Sequence, residues 1–141
     1  MPLSPRDWKR LKGVHPALIA VVDEASLAGI DFMVTEGIRS IERQTWLFEN
    51  GKSRTMNSRH LTGHAVDLAV IETTPEGPVA RWDWPTYKLL ASVMKNCADK
   101  FKTKITWGGD WPTLRDGPHF ELDRVAYPDG IDAPWESDGV I

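Results

Sequence analysis

An α+β architecture, a small antiparallel sheet backed by helices, is what the order of patterns along this chain predicts. Helical patterns occupy the first part, short strand patterns follow, and one long helix separates the later strands. The length, 141 residues, suits one domain with a core of its own. No internal repeat and no second set of elements is visible, so residues 1–141 read as one domain with an irregular tail from about 123.

Ser4-Pro5-Arg6-Asp7 has the form of a helix start: a capping serine, a proline in the first turn and an acid that complements the dipole. That helix is expected to end near Gly13. A second begins around Pro16, buries Leu18, Val21, Val22 and Ala25 along one face, and stops at Gly29. Residues 32–35 read as a short strand. Ser40 caps a third helix running through Trp46, Leu47 and Phe48 to Gly51, and residues 52–62 read as a polar loop. Residues 65–71 alternate Val66, Leu68 and Val70 against Asp67 and Ala69, which predicts a strand. A Pro/Gly/Thr loop is expected over 72–79. Asp83 then caps the longest helix, with Leu90, Met94, Cys97 and Phe101 along one face. Residues 104–107 and 119–122 read as strands.

Composition narrows the function. A net charge of −3 does not favour the phosphate backbone of nucleic acid. No apolar run approaches the ~20 residues that span a bilayer. The N-terminus lacks a basic start followed by an apolar stretch, so no signal peptide is expected. A single cysteine, Cys97, excludes an internal disulfide and a multi-thiolate zinc site; its place on a helix face makes it a core residue. Any metal must therefore be held by histidine and carboxylate. The seven tryptophans are mostly packing residues, and the remainder are candidates to line a groove.

Of the four histidines, His15 precedes Pro16 at a helix start and reads as structural or solvent-facing. The rest fall in two clusters. In Ser58-Arg59-His60-Leu61-Thr62-Gly63-His64-Ala65-Val66-Asp67, Gly63 permits a tight turn that can bring His60 to Asp67. In Asp116-Gly117-Pro118-His119-Phe120-Glu121, the Gly-Pro bend can project Asp116 beside His119. Two histidines and one carboxylate leave zinc an open position for water, and a further carboxylate nearby can take that water's proton. His64 stands four residues from His60, the helical ligand spacing, but Gly63 and the following strand argue against a helix.

At these residues the sequence resembles the zinc peptidase family that includes D-alanyl-D-alanine carboxypeptidases and dipeptidases and the phage L-alanyl-D-glutamate endopeptidases. Ser-x-His-x-x-Gly-x-Ala-x-Asp is met by Ser58, His60, Gly63, Ala65 and Asp67, and an acid three residues before a histidine by Asp116 and His119. Glu36-Gly37-Ile38-Arg39-Ser40, followed by Gln44, is similar to the segment bearing the family's active-site arginine. Trp107-Gly108-Gly109-Asp110-Trp111 resembles the loop before the acid. The resemblance implies that His60, Asp67 and His119 hold a zinc ion, that Asp116 is the general base and then acid, and that Arg39 stabilises the oxyanion. It makes Ser58 a substrate-contacting or supporting residue. For Arg39 the alternative is a surface ion pair with Glu36 or Glu42. Glu121, two residues along the strand from His119, is either a partner for that histidine or a rival base.

Asp rather than Glu before Gly-Pro-His looks most like the phage endolysins, whose target is the L-Ala–D-Glu bond of the peptidoglycan stem peptide. The expectation is a monomeric zinc peptidase made in a host cytoplasm and acting on the cell wall after release, with no nucleic-acid partner and no membrane insertion. A D-alanyl-D-alanine carboxypeptidase and a non-catalytic zinc-containing binding domain of the same fold are the alternatives.

Overall fold

The computed structural model describes residues 1–53, 55–56 and 58–128, and the part of the expected tail beyond 128 lies outside them. Helices α1 (Pro5–Arg10) and α2 (Pro16–Ser26) lead into strand β1 (Phe32–Glu36) and helix α3 (Ile41–Glu49). A long strand β2 (Ala65–Thr74) turns back into β3 (Gly77–Arg81). Helix α4 (Trp84–Lys100), β4 (Ile105–Trp107), one 3₁₀ turn (Gly108–Asp110) and β5 (His119–Leu122) follow.

Side chains fix the helix starts where the sequence placed them. Ser4, Ser40 and Asp83 accept hydrogen bonds from the backbone N–H of Asp7, Arg43 and Thr86, each cap being worth ~1 kcal/mol. His15 caps α2 in the same way, its Nδ1 accepting from Ala17 N at 2.9 Å. Asp7 does more than complement a dipole. It is buried, closes a capping box with Ser4 and accepts from Val34 N at 2.9 Å, tying α1 to β1.

The sheet runs β1-β2-β5-β4, with antiparallel pairing throughout. β2 is its spine. β1 pairs along one edge; β5 and β3 share the other, β5 against residues 65–67 and β3 against residues 70–74. Tyr87 fills the gap between those two partners: its hydroxyl accepts from Val70 N and donates to Arg81 O at 2.7 Å. Val66, Leu68 and Val70 of β2 join Leu18, Val21 and Val22 of α2 and Leu90 and Met94 of α4 in one buried core. Each such side chain contributes on the order of 1.5–3 kcal/mol of burial. Strand alternation sends Asp67 to the opposite face, where the site lies.

Two expectations fail. Residues 72–79 are not a loop: β2 continues to Thr74, and β3 makes a hairpin about Pro75-Glu76, with Gly77 at φ +114°. Pro78 masked that strand, but β3 is an edge strand, where a missing N–H is tolerated. Phe101 does not continue the buried face of α4. It is the C-cap, 43% exposed, while Leu90, Met94 and Cys97 are buried as expected. Among the described residues no helix is long and apolar enough to cross a membrane.

Candidate active site

Three strands set the floor of the site. Glu36 of β1, Asp67 of β2 and His119 of β5 stand side by side, because Asp67 is the register partner of both others. A register shift in β1 between Val34 and Glu36 sets Glu36, rather than Thr35, opposite Asp67. His60 arrives from the turn before β2. That turn is pinned by Arg39 N donating to His60 O at 2.8 Å and His64 N donating to Arg59 O at 3.0 Å. Gly63 is required in it: φ is +74°, and a Cβ there would lie 2.3 Å from Gly13 O.

The two rings have fixed roles. His60 Nδ1 contacts Gly37 O at 2.8 Å, and a carbonyl only accepts, so Nδ1 carries the proton. His119 Nε2 stands 2.9 Å from the Glu121 carboxylate, which places its proton on Nε2. In the neutral tautomers, His60 Nε2 and His119 Nδ1 therefore present bare lone pairs, each 3.2 Å from Asp67 Oδ1. Three acceptors meeting within 4.8 Å require a cation or an added proton among them. In the metal-free chain His119 takes that proton. Burial acts against it, but its hydrogen bonds to Asp67 and Glu121 push its pKa up to about 9. Burial would raise the Asp67 pKa; hydrogen bonds from His119 and His60 hold it well below the usual carboxylate range instead. The group can hold a metal ion, and its donor set of two imidazoles and one carboxylate, with an open side toward the groove, fits zinc.

Arg39 and Asp116 face the same groove, of about 560 Å³. The guanidinium donates to both oxygens of Glu36 at 2.7 Å and to Gln44 Oε1 at 2.7 Å, with Ser58 Oγ at 3.4 Å. The two readings of Arg39 are thus compatible: it pairs with Glu36 and lines the groove. Asp116 reaches the rim because Gly108 leaves room. A Cβ on Gly108 would lie 2.4 Å from Asp116 O, whereas Asp116 N donates to Gly108 O at 3.1 Å. Burial and the nearby Asp67 charge raise the Asp116 pKa, against the pull of His119, His60 and Arg39. Ser58 Oγ accepts from His60 N at 3.2 Å.

Glu121 lies behind His119, on the side away from Asp67, and does not line the groove. His64 is buried, with Nδ1 2.6 Å from Thr62 Oγ1, and stays outside the metal group. Three neighbours of the site, Arg59, Gln44 and Trp111, carried no role from the sequence, whereas Glu36 was the expected ion-pair partner of Arg39. Arg59 is buried, donates to Leu122 O and Tyr127 O, and lies 3.8 Å from Glu121. Glu36 and the buried Gln44 hold Arg39, and the Trp111 ring is 4.9 Å from that of His119. The Arg59 position next to His60 was the available signal, yet an arginine in a polar turn reads as solvent-facing.

Comparison with known proteins bears on what this arrangement does. The model of the family described as phage L-alanyl-D-glutamate peptidase matches residues 1–129. The L-alanyl-D-glutamate peptidase of Listeria phage A118 is 32% identical over 108 residues, covering 76% of this chain but 36% of that protein, so the chain spans about a third of its length. The peptidoglycan L-alanyl-D-glutamate endopeptidase CwlK of Bacillus subtilis is 30% identical, covering 77% of this chain and 73% of its own. The crystal structure of the Serratia marcescens L-Ala D-Glu endopeptidase ChiX superposes with a TM-score of 0.81 at 40% identity, covering 91% of this chain and 94% of that one. Both the α+β fold and the motif resemblance are thereby borne out, and the chain belongs to the phage L-alanyl-D-glutamate peptidase family.

Proposed function

We propose that this chain is a zinc-dependent endopeptidase that hydrolyses the L-alanyl–D-glutamate bond of the peptidoglycan stem peptide. The observation that carries this reading is the convergence of three metal-facing acceptors with one carboxylate and one guanidinium on a single groove. The relatives named above carry that bond in their names, which favours it over D-alanyl–D-alanine. His60, Asp67 and His119 are the ligands. Bound there, zinc would polarise the scissile carbonyl and lower the pKa of a water. Asp116 accepts that water's proton and returns it to the leaving nitrogen; its raised pKa suits a group that must both take and give. Arg39 faces the oxygen on which negative charge develops, and Glu36 and Gln44 hold its planar fork in place beforehand. Ser58 supports both His60 and Arg39. Glu121 keeps the His119 proton on Nε2, so that Nδ1 is free to ligate. The setting is an endolysin synthesised in a host cytoplasm and acting, as a monomer, on the wall after release.

Digestion of purified peptidoglycan followed by mass spectrometry tests the reading. New N-terminal D-Glu and C-terminal L-Ala are expected, lost on chelation and restored by zinc. Release of D-Ala alone would make the chain a carboxypeptidase, and no release at full metal occupancy would make it a binding domain.

A further inference from the structure

A second groove, of about 470 Å³, lies on the other side of the loop that carries Asp116. Trp84, Trp107, Lys88, Gly109, Asp110 and Arg115 line it. Arg115 faces this groove and Asp116, the next residue, faces the catalytic one, so a few ångströms of chain separate them. Trp107 is anchored on that same segment, and Trp84 lies beside it. Trp107 Nε1 donates to Gly117 O at 2.7 Å, and a Cβ on Gly117 would lie 3.6 Å from the Trp84 ring. Trp107 is buried, but Trp84 leaves 43% of its surface open, and Trp82 beside it leaves 64%. In the groove itself the partly open indole is that of Trp84, because Lys95 lies over the Trp107 ring and Trp82 stacks on Tyr87 outside the lining; peptide hydrolysis as proposed above makes no use of it.

The covalent structure of the proposed substrate supplies an occupant. On the acyl side of an L-Ala–D-Glu bond there is one residue, and then the lactyl group of an N-acetylated amino sugar. Two units at ~3.5 Å each place the sugar ring roughly 7 Å from the scissile carbonyl. A pyranose presents a face of C–H bonds with partial positive charge, which suits the negative face of an indole. Its N-acetyl and hydroxyl groups are neutral donors and acceptors, matched by Lys88, Arg115 and Asp110, whose carboxylate also pairs with Lys95 at 2.6 Å. Resting on the peptidase reading, we propose that the Trp84 groove is a saccharide subsite, which holds the amino-sugar strand to which the scissile peptide is attached. The enzyme would then recognise its peptide as part of a glycan rather than as a free chain.

The test uses two substrates with the same scissile bond: the disaccharide-linked stem peptide and the free stem peptide without sugar. For the zinc-loaded chain, Trp84→Ala is expected to lower kcat/KM about tenfold on the sugar-linked substrate, the size of one aromatic platform, and less than twofold on the free peptide. Lys88→Ala, at an exposed helix position, should show the same selectivity with a smaller loss, and it serves if the Trp84 variant does not fold. Independently of activity, a β-1,4-linked N-acetylglucosamine tetramer should shift tryptophan fluorescence saturably in the wild type and not in Trp84→Ala. Equal losses on both substrates, no loss on either, or no saturable shift overturns the proposal. If the wild type cleaves neither substrate, the peptidase reading fails, while the fluorescence titration still decides the groove.

Discussion

The floor and the rim of the catalytic groove are held in different ways. On the floor, His60 and His119 have their outward nitrogens bound by a buried carbonyl and a buried carboxylate, and Glu121 is backed in turn by Arg59. On the rim, the Arg39 guanidinium is clamped by the side chains of Glu36, Gln44 and Ser58, and Asp116 sits half-buried on a bend that a glycine makes possible. On the proposed reading the floor selects a metal geometry, which needs fixed positions: Asp67 and His119 are held on strands and His60 by its pinned turn. The rim must meet changing charge, which needs groups that can exchange protons or reorient slightly. On the peptidase reading proposed above, locked ligands and tunable acids are separate demands met in separate layers.

Breaking each layer should give different signatures. His60→Ala should remove both zinc and activity, whereas Asp116→Asn should keep zinc and fold but lose ~10²–10⁴ in kcat. Release of amino groups from peptidoglycan, with elemental zinc measured in parallel, separates them. Near wild-type turnover of Asp116→Asn at full zinc would remove Asp116 as the base. A weaker change should come from behind the floor: Glu121→Gln leaves the groove lining intact but is expected to weaken zinc roughly 10–100-fold. Competition with a chelator measures that, and unchanged affinity would detach Glu121 from the site.

The smallest effect should appear in pH dependence. In the metal-free chain, the raised His119 pKa contributes stability that is full below about 6.5 and is lost as pH rises through about 9. The lowered Asp67 pKa contributes stability present above the usual carboxylate range and lost in acid. The metal-free melting midpoint should therefore fall by roughly a few degrees between pH 6.5 and 9. Zinc must displace the His119 proton, so its stabilising increment should grow over that interval. Calorimetry with and without zinc reads both slopes, and parallel curves would show that His119 is not where zinc and proton compete.

The sequence made the floor more legible than its supports. Alternation about Asp67, the Gly63 turn and the Gly-Pro bend before His119 are local signals, and helix caps at Ser4, Ser40 and Asp83 are local too. Arg59 acts through Leu122, 63 residues away, and the burial of Arg59 and Gln44 is set by packing that no local pattern encodes, whereas the Glu36–Arg39 pair, three residues apart, was open to reading. Asp7 read as a dipole residue for the same reason, since its bond to Val34 spans 27 residues. The β3 hairpin was hidden by Pro78, a residue that argues against a strand everywhere except at an edge.

That hairpin makes the molecule a convenient chassis. Its tip at Pro75-Glu76 is exposed and stands about seven residues along β2 from Asp67, roughly 23 Å at the rise of an extended strand. Tyr87 bridges β2 and β3 between tip and site, through Val70 N and Arg81 O. A tag, an affinity module or a fluorophore inserted between Pro75 and Glu76 would sit at an exposed turn whose residues line neither groove.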